Sequence, residues 1–326
     1  MGEAMSNALR QYWHPVAAVE ELDGGPIKTT LLDEDLVVFR SGGEVHALQD
    51  LCIHRGTPLS LGSVNAEGCI VCPYHGWTYD TSGKCVHIPS QPADRQRIPS
   101  QARVPAYRTA EHYGLVYVAL EEPVAPVPEF PEYYDDGFNM IRPGEWTWEA
   151  SAARFVENAI DTSHLPIVHP GLLADASATV IAPFDMEETD RGYAFSARRH
   201  DVDEAMFGDA DELVTQKTWV EIPFSWRLLI TAESQSTVVF IANQPVSLKK
   251  VRFWEYVGIK GRQDQTDDEI IAFHQKVIEQ DRHIVEHQKP EMLPLDITAE
   301  LHLRVADEPA LEYRRRLAEV AGAEYA

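Results

Sequence analysis

Residues 52–56 read Cys52-Ile53-His54-Arg55-Gly56, and residues 72–77 read Cys72-Pro73-Tyr74-His75-Gly76-Trp77. Each segment offers one thiolate and one imidazole, so the two together can hold a metal centre. One interpretation is a zinc site, although zinc sites usually take a pair of cysteines followed by a pair of histidines. The other is a [2Fe–2S] cluster in which two cysteines bind one iron and two histidines bind the second. A glycine after each ligand pair permits the tight turns that either centre needs.

The longer stretches around these ligands decide between the two. CIHRGTPLSLG (52–62) and CPYHGWTYDTSGKC (72–85) resemble the two halves of the cluster domain of Rieske oxygenase α-subunits. The match includes both ligand pairs, the Arg-Gly step after the first pair and the His-Gly-Trp step of the second. The resemblance implies that a Rieske-type [2Fe–2S] cluster is bound by Cys52, His54, Cys72 and His75.

The amino-acid composition limits the binding partners and the cellular location that we expect for the protein. The chain has 326 residues with 28 Lys and Arg against 52 Asp and Glu, a formal net charge of −24. This negative charge repels the phosphates of a nucleic acid, so no nucleic-acid partner is expected. No run of about 18 apolar residues predicts a membrane span, and the first residues lack a signal-peptide pattern. We therefore expect a cytoplasmic protein, in which Cys69 and Cys85 are plain thiols and not a disulfide.

The pattern of short apolar runs changes along the chain. The first ~120 residues alternate such runs with turn signals, as a small all-β unit does. Residues 121–131 (EEPVAPVPEFP) are proline-rich and read as a stiff linker. We expect two domains, 1–122 and 123–326. The expected fold class is α+β: an N-terminal all-β Rieske [2Fe–2S] domain, then a catalytic domain with an antiparallel sheet and helices, of the helix-grip type.

The second half carries alternating aromatic and polar residues that predict an antiparallel sheet with one covered face. Helices are predicted for Ala152–Leu165, ended by Pro166, and for Asp267–Gln288, where Thr266 and Glu269 form a capping box. A last strand is predicted over residues 298–305, and a terminal helix over 309–320. Five strands are predicted between these helices, at about residues 192–200, 217–222, 226–231, 237–242 and 251–259.

A second set of metal-ligating residues lies in FVENAIDTSHLPIVHPG (155–171). Glu157, Asp161 and His164 stand at i, i+4 and i+7, which places them on one face of a helix. His169 follows the proline, and the chain can fold it back beside His164. Two histidines with a carboxylate are typical of a 2-His-1-carboxylate Fe(II) site. A capping histidine with solvated acids is the alternative.

The third ligand is expected from the long helix. Asp281 falls on an apolar stripe at helical spacing formed by Ile270, Phe273, Val277 and Ile284. A carboxylate on a buried face is costly unless it is paired or binds a metal. The alternative is an ion pair with Arg282. His274 lies one heptad before Asp281 and is expected to pack in the core or beside the metal ligands.

The family resemblance extends to this site. E-X3-D-X2-H-X4-H is similar to the mononuclear-iron motif of Rieske oxygenases and maps to Glu157, Asp161, His164 and His169. It implies that Fe(II) is held by His164, His169 and Asp281. It also implies a homotrimer in which the cluster of one subunit faces the iron of the next, with Asp161 as the catalytic bridge between them. The compact chain resembles the branch that includes vanillate, dicamba and caffeine demethylases and saxitoxin-biosynthesis hydroxylases.

The expected function follows from that resemblance. It is a Rieske oxygenase that uses O2 and electrons to monohydroxylate or O/N-demethylate a small aromatic or heterocyclic molecule. The electrons come from an NAD(P)H-dependent reductase, either directly or through a ferredoxin. A cis-dihydroxylating arene dioxygenase is the alternative enzyme. A Rieske electron carrier and a zinc-stabilised binding module are the non-enzymatic alternatives, although a carrier needs only the first ~120 residues.

Overall fold

The computed structural model describes residues 7–200, 213–261 and 265–322. The chain divides into two compact units, Arg10–Val127 and a second that begins at Pro128 and also includes residues 7–9. The division lies within the proline-rich segment. Among the residues described, no helix combines the length and the apolar character needed to cross a membrane.

The first unit is built from antiparallel strands and short 3₁₀ turns. Its strands are β1 (His14–Ala18), β2 (Ile27–Leu31), β3 (Glu34–Ser41), β4 (Glu44–Gln49), β5 (Ser63–Val64), β6 (Ile70–Val71), β7 (Thr78–Tyr79), β8 (Cys85–His87), β9 (Ala106–His112) and β10 (Leu115–Ala119). Over the described residues they form a six-stranded sheet in the order β1-β10-β9-β4-β3-β2 and a four-stranded sheet in the order β5-β6-β7-β8.

The core of this unit lies beneath the two cysteine–histidine segments. Val37, Leu48, Ile70 and Tyr79 are fully buried there. The first segment lies between β4 and β5, and the second forms the tip of the β6–β7 hairpin, in which Ile70 pairs with Tyr79. Both tips therefore lie over the same apolar core.

The second unit is organised around one long antiparallel sheet. Its strands are β11 (Asn139–Trp148), β12 (Asp185–Thr189), β13 (Gly192–His200), β14 (Leu213–Glu221), β15 (Ser225–Thr231), β16 (Gln235–Ser247) and β17 (Lys250–Gly261). In the described part of the chain they pair in the order β11-β17-β16-β15-β14-β13-β12. Strands β16 and β17 are buried along most of their length, as central strands covered by helices are.

The helices of the second unit are α1 (Ala152–Ile160), α2 (Leu165–Val168), α3 (Asp267–Val285) and α4 (Glu308–Ala321). Helix α1 packs on β15, β16 and β17 and also on α3, and α3 packs on β11. The predicted capping box of α3 is confirmed, since Thr266 Oγ1 accepts the Glu269 N–H and Glu269 accepts the Thr266 N–H. An antiparallel sheet covered by a long helix is the architecture predicted from the sequence.

The helix predicted for Ala152–Leu165 is wrong in its second half. Helix α1 ends at Ile160, and Asp161 adopts an extended conformation. The Asp161 carboxylate accepts the backbone N–H of Ser163, a local turn that competes with continuation of the helix. Pro166 does not end α1 but lies in the first turn of α2, where its missing N–H costs nothing. Glu157, Asp161 and His164 therefore do not share one helix face.

Two further predictions are corrected. Residues 298–305 form no strand; Leu301 and Leu303 are exposed, so burial of these side chains does not stabilise one. Ile284 is half exposed, and the buried face of α3 is instead formed by Ile270, His274, Ile278, Asp281 and Val285. A search for apolar residues alone misplaces the buried face, because two of its residues, His274 and Asp281, are polar.

Candidate functional site

The two cysteine–histidine tips share one backbone geometry. In the first, the Cys52 N–H donates to the Thr57 carbonyl and the Gly56 N–H donates to the Cys52 carbonyl, at 2.8 and 2.9 Å. In the second, the same two bonds join Cys72 to Trp77 and to Gly76. Both glycines have positive φ, +71° and +68°, which the turn requires. The two tips are therefore equivalent loops that place a cysteine at the same position of each turn.

The four predicted cluster ligands lie together. Cys52 and Cys72 are almost fully buried. The rings of His54 and His75 lie 4.5 Å apart between centroids, and His54 stacks on Trp77 at 4.7 Å with an interplanar angle of 5°. The Tyr79 hydroxyl lies 3.1 Å from Cys52 Sγ, where it can donate a hydrogen bond to a thiolate.

These side chains fit a [2Fe–2S] cluster. His54 Nδ1 is buried and has no hydrogen-bond partner among the described residues, as expected of a nitrogen that binds a metal. Burial, then the nearby His75 and Arg55 charges, lowers the pKa of His54, which favours the neutral imidazole that ligation needs. Burial raises the pKa of the Cys52 thiol, and a bound metal would stabilise the thiolate there.

The two remaining cysteines do not join this group of ligands. Cys85 is buried in the same apolar core, Cys69 is half-buried, and neither forms a disulfide. Burial raises the pKa of both thiols. Both are free thiols.

In the second unit, His164, His169 and Asp281 come together although they lie on different elements. Their ligand atoms all lie within 4.8 Å of one another. His169 Nε2 lies 2.9 Å from Asp281 Oδ1, and His164 Nε2 lies 3.5 Å from the same oxygen. His169 is fully buried and Asp281 is 9% exposed. Two imidazoles and one carboxylate at this spacing form the donor set of a facial-triad iron site.

Each of these histidines is oriented by a second hydrogen bond. Nδ1 of His164 lies 3.2 Å from Asp161 Oδ2, and Nδ1 of His169 lies 2.8 Å from Gln280 Oε1. Both partners accept, so Nδ1 of each ring donates and Nε2 faces the site, where a bound metal would take its lone pair in place of a proton. This arrangement suits a metal. Burial would lower the pKa of His169, but the Asp281 carboxylate and Gln280 raise it.

Asp161 is held in place by its own loop. Its Oδ1 accepts from both the N–H and the hydroxyl of Ser163, each at 2.7 Å. Burial would raise the pKa of Asp161, but the bonds from His164 and Ser163 outweigh it and lower the pKa. Asp161 is therefore a fixed carboxylate anion beside the triad.

The spacing of the two histidines is set by one helical turn. Helix α2 lies between them, and the backbone bonds Val168 N–H to His164 carbonyl and His169 N–H to Leu165 carbonyl close it at 2.8 and 3.0 Å. The four residues of α2 thus bring both rings to one side, with centroids 5.3 Å apart.

A buried ion-pair network fixes the helix that precedes them. Arg314 of α4 donates to both carboxylate oxygens of Glu157 at 2.5 and 2.8 Å and to Glu300 at 2.5 Å. Arg154 donates to Glu300 at 2.7 Å. Both arginines are at most 3% exposed. Glu157, predicted beside the metal ligands, is instead a structural anion that ties α1 to α4.

The triad lies on a cavity of about 120 Å³ between α1, α3 and the sheet. Its walls are mainly apolar, with Trp226, Leu228, Ile230, Val239 and Ile241 from the sheet and Phe155, Phe273, Val277 and Ile278 from the helices. Among the tryptophans of the sheet, Trp226 lines this cavity and Trp219 and Trp254 do not.

Sequence reasoning missed several polar residues of the site. Gln280 orients His169, and Gln216 and Glu255 line the cavity. Glu255 carried a usable signal, since it is a lone carboxylate within the aromatic run FWEY of β17. The sequence carries no signal for Gln280, because a polar residue next to Asp281 on a helix can equally well face solvent.

Family models match both units of the chain. Residues 12–108 match the Rieske [2Fe-2S] domain, and residues 148–323 match the vanillate O-demethylase oxygenase C-terminal domain. The second match alone covers more than half of the chain. The chain belongs to the Rieske non-heme iron oxygenases, and its first unit is a Rieske [2Fe–2S] domain. It is an oxygenase, so the zinc-module and electron-carrier alternatives are excluded.

Individual relatives are enzymes of this family. The chain is 31% identical to methylxanthine N1-demethylase NdmA of Pseudomonas putida, over 96% of this chain and 89% of that one. It is 30% identical to the oxygenase subunit of 3-chlorobenzoate-3,4-dioxygenase of Comamonas testosteroni, over 81% of this chain and 63% of that one. The structure of NdmA with caffeine superposes with a TM-score of 0.87 over 98% of this chain and 94% of that chain, at 30% identity. Dicamba monooxygenase bound to dicamba, at 20% identity over 97% and 98% of the two chains, shares the fold with a TM-score of 0.81.

Proposed function

We propose that this oxygenase monohydroxylates or O/N-demethylates a small aromatic or heterocyclic molecule bound in the cavity over His164, His169 and Asp281. The observation that carries the proposal is the position of this donor set on an apolar cavity. An apolar wall with a few polar groups binds a planar organic ligand and excludes water. Methylxanthine demethylases among the relatives make a methylated heterocycle the first substrate class to test.

Three residues are proposed to hold a mononuclear Fe(II): His164, His169 and Asp281. Bound there, Fe(II) would supply the activation of O2 in a site with open coordination positions. Asp161 and Gln280 hold the proton of each imidazole on Nδ1 and keep each Nε2 directed at the metal position. The walls formed by Phe155 and Ile278 keep the substrate carbon in the cavity and bulk water out of it.

The proposed bridging role of Asp161 is supported by its position. Asp161 and His164 line the substrate cavity and also an outward groove of about 380 Å³ on the other side of α1. The groove is bordered by the exposed side chains of Ile284 and Leu301. We propose that the cluster tip of a neighbouring subunit lies over this groove in a head-to-tail homotrimer. Asp161 would then accept a hydrogen bond from a cluster histidine of that neighbour.

Electrons are proposed to come from an NAD(P)H-dependent reductase, directly or through a ferredoxin. A cytoplasmic location is proposed because that is where NAD(P)H is supplied. In a demethylation, one oxygen atom of O2 enters the methyl group and the other leaves as water, with two electrons and two protons consumed. The resulting hemiacetal or hemiaminal then collapses to formaldehyde and the demethylated product.

The test is a turnover screen with a surrogate reductase, catalase and ¹⁸O2. Methylxanthines, methoxybenzoates and heterocyclic compounds are incubated with the holoenzyme, and products and formaldehyde are quantified by mass spectrometry. The proposal expects one ¹⁸O in a hydroxylated product, or formaldehyde equal to the demethylated product. The His164→Ala variant is the control and should form neither.

Two results contradict the proposal. A product with two ¹⁸O atoms from one O2 would favour cis-dihydroxylation, the reaction class suggested by the dioxygenase relative. Oxygen consumption that yields only peroxide with every compound would mean that the cavity takes none of these substrate classes.

A further inference from the structure

A buried polar pair faces the substrate cavity on the side of the sheet. Nδ1 of His274, on α3, lies 2.8 Å from Oε1 of Glu255, on β17. Glu255 is 3% exposed and His274 is 6% exposed, and both line the cavity. Because carboxylate oxygens only accept, the ring carries a proton on Nδ1 and donates it.

The outer atoms of this pair lack partners. Glu255 Oε2 and His274 Nε2 are both buried and make no hydrogen bond with any residue that the structure describes. A buried carboxylate oxygen without a hydrogen bond is costly, since it has lost its water without compensation. Neither atom belongs to the metal site, which is built from His164, His169 and Asp281.

A third polar atom lies on the same face of the sheet. Trp226 of β15 pairs with Ile241 of β16, which pairs with Glu255 of β17, so the three side chains form one row across the sheet. The indole N–H of Trp226 is also buried without a partner among the described residues. The row therefore presents a donor at one end, an aliphatic side chain in the middle and an acceptor at the other end.

We propose that Glu255, oriented by His274, is the specificity-determining residue of the cavity and selects a planar heterocycle that carries a ring N–H. That N–H donates to Glu255 Oε2, and a carbonyl of the same ligand accepts from Trp226 Nε1. A ligand with N-methyl in place of that N–H leaves the carboxylate oxygen unpaired and is rejected. This inference rests on the proposed function, since it assigns the substrate class of the same cavity.

The test uses two matched pairs of ligands that differ in ring N–H groups alone. Theobromine carries one ring N–H and caffeine carries none; uracil and its N,N-dimethyl derivative form the second pair. Dissociation constants are measured by anaerobic calorimetry on the holoenzyme with its cluster oxidised, so that no turnover occurs. The wild type should bind the N–H member of at least one pair about tenfold more tightly or better, the usual strength of a hydrogen bond to a charged group.

The decisive variant is Glu255→Gln, which keeps the volume of the side chain and removes its charge. The preference should fall to about twofold or less, through weaker binding of the N–H ligand, while the N-methyl ligand binds as before. A purely structural role would weaken both members of a pair equally. If Glu255→Gln does not fold, His274→Gln keeps the carboxylate but removes the imidazole that orients it, and it should reduce the same preference.

The matched control is Glu221→Gln. Glu221 lies on β14 of the same sheet, pairs with Arg191 and lies outside the cavity lining. The preference should be unchanged in this variant. The proposal is overturned if the wild type binds neither N–H ligand, binds both members of each pair equally, or keeps its preference in Glu255→Gln.

Iron and sulfide are assayed on the same samples. Full mononuclear iron without any N–H preference overturns this inference and leaves the oxygenase proposal intact. If the protein prefers the N–H ligands but cannot hold mononuclear iron, this inference stands and the oxygenase proposal is overturned.

Discussion

The two proposed metal sites of this chain are built in opposite ways. The cluster ligands come from two loops that lie between Cys52 and Trp77 and repeat the same pair of backbone hydrogen bonds. The triad depends on His169 and Asp281, which are 112 positions apart in the sequence. The first site is specified by local turns, and the second exists only when α3 packs against α1 and the sheet.

This difference predicts which substitutions at one site also affect the other site. Loss of a cluster ligand should remove the cluster but leave the second unit with its own core and its proposed iron site. The effect of a substitution at the triad should depend on the role proposed for the residue, because ligands, orienting residues and the proposed bridging carboxylate act separately. The experiments below test that separation, from the largest expected effect to the smallest.

Cys72→Ser should have the largest effect. A serine oxygen is a poor substitute for a thiolate on iron, and the new hydroxyl is buried in the apolar core. Visible absorption of the cluster, acid-labile sulfide and turnover should all be lost, while the mononuclear iron stays. Cys69→Ser, at a half-buried thiol outside the ligand set, is the control and should retain the cluster. Cluster absorption that survives in Cys72→Ser would mean that the ligand is misassigned.

His164→Ala should remove the mononuclear iron and abolish turnover, with the cluster spectrum unchanged. The variant lacks one of the two imidazoles of the triad but leaves the first unit untouched. Iron per chain should fall while acid-labile sulfide stays constant. A bleached cluster in this variant would show that the two sites are not separable.

Asp161→Asn should keep both metals and still reduce turnover to near background. The amide oxygen can accept the Nδ1–H of His164 as the carboxylate does, so His164 stays oriented. The variant loses the anion between the cavity and the outward groove, together with the bonds that Oδ1 accepts from Ser163. The measurement is the rate at which the pre-reduced cluster is oxidised in a single turnover with substrate and O2. A normal rate would remove the bridging role from Asp161.

Gln280→Ala should have a smaller effect, confined to the affinity for Fe(II). Without the acceptor on Nδ1, His169 loses its fixed tautomer, and Fe(II) affinity should fall about 10- to 100-fold. Competition against a chelator measures that affinity directly. Gln275→Ala is the control on the same helix, since its amide donates to the Pro143 carbonyl. Equal affinities in both variants would contradict the orienting role.

The sequence predicted the local features well and the tertiary ones in part. The capping box of α3 and the predicted strands of the second sheet were visible because periodicity and turn residues act over a few positions. The break between α1 and α2 was missed because Asp161 uses its side chain to end a helix that the i, i+4, i+7 spacing suggested. The buried face of α3 was misplaced because His274 and Asp281 are buried through polar partners, which a pattern of apolar residues does not record.

The network of Arg154, Glu157, Glu300 and Arg314 shows the same limit. Charged residues on helices normally face solvent, and nothing in the sequence distinguishes Arg314 from such a residue. In the fold these four residues neutralise one another between α1 and α4, and that pairing depends on the packing of distant segments. Such contacts cannot be predicted from spacing.

The most direct test of two separate iron sites is the content of iron and acid-labile sulfide per chain in anaerobically purified protein. A Rieske cluster with one mononuclear iron predicts about three iron atoms and about two sulfides per chain. Removal of iron by a mild chelator should then lower the iron by about one and leave the sulfide unchanged. Two iron atoms that resist replenishment with Fe(II), beside two sulfides, would contradict the mononuclear site formed by His164, His169 and Asp281.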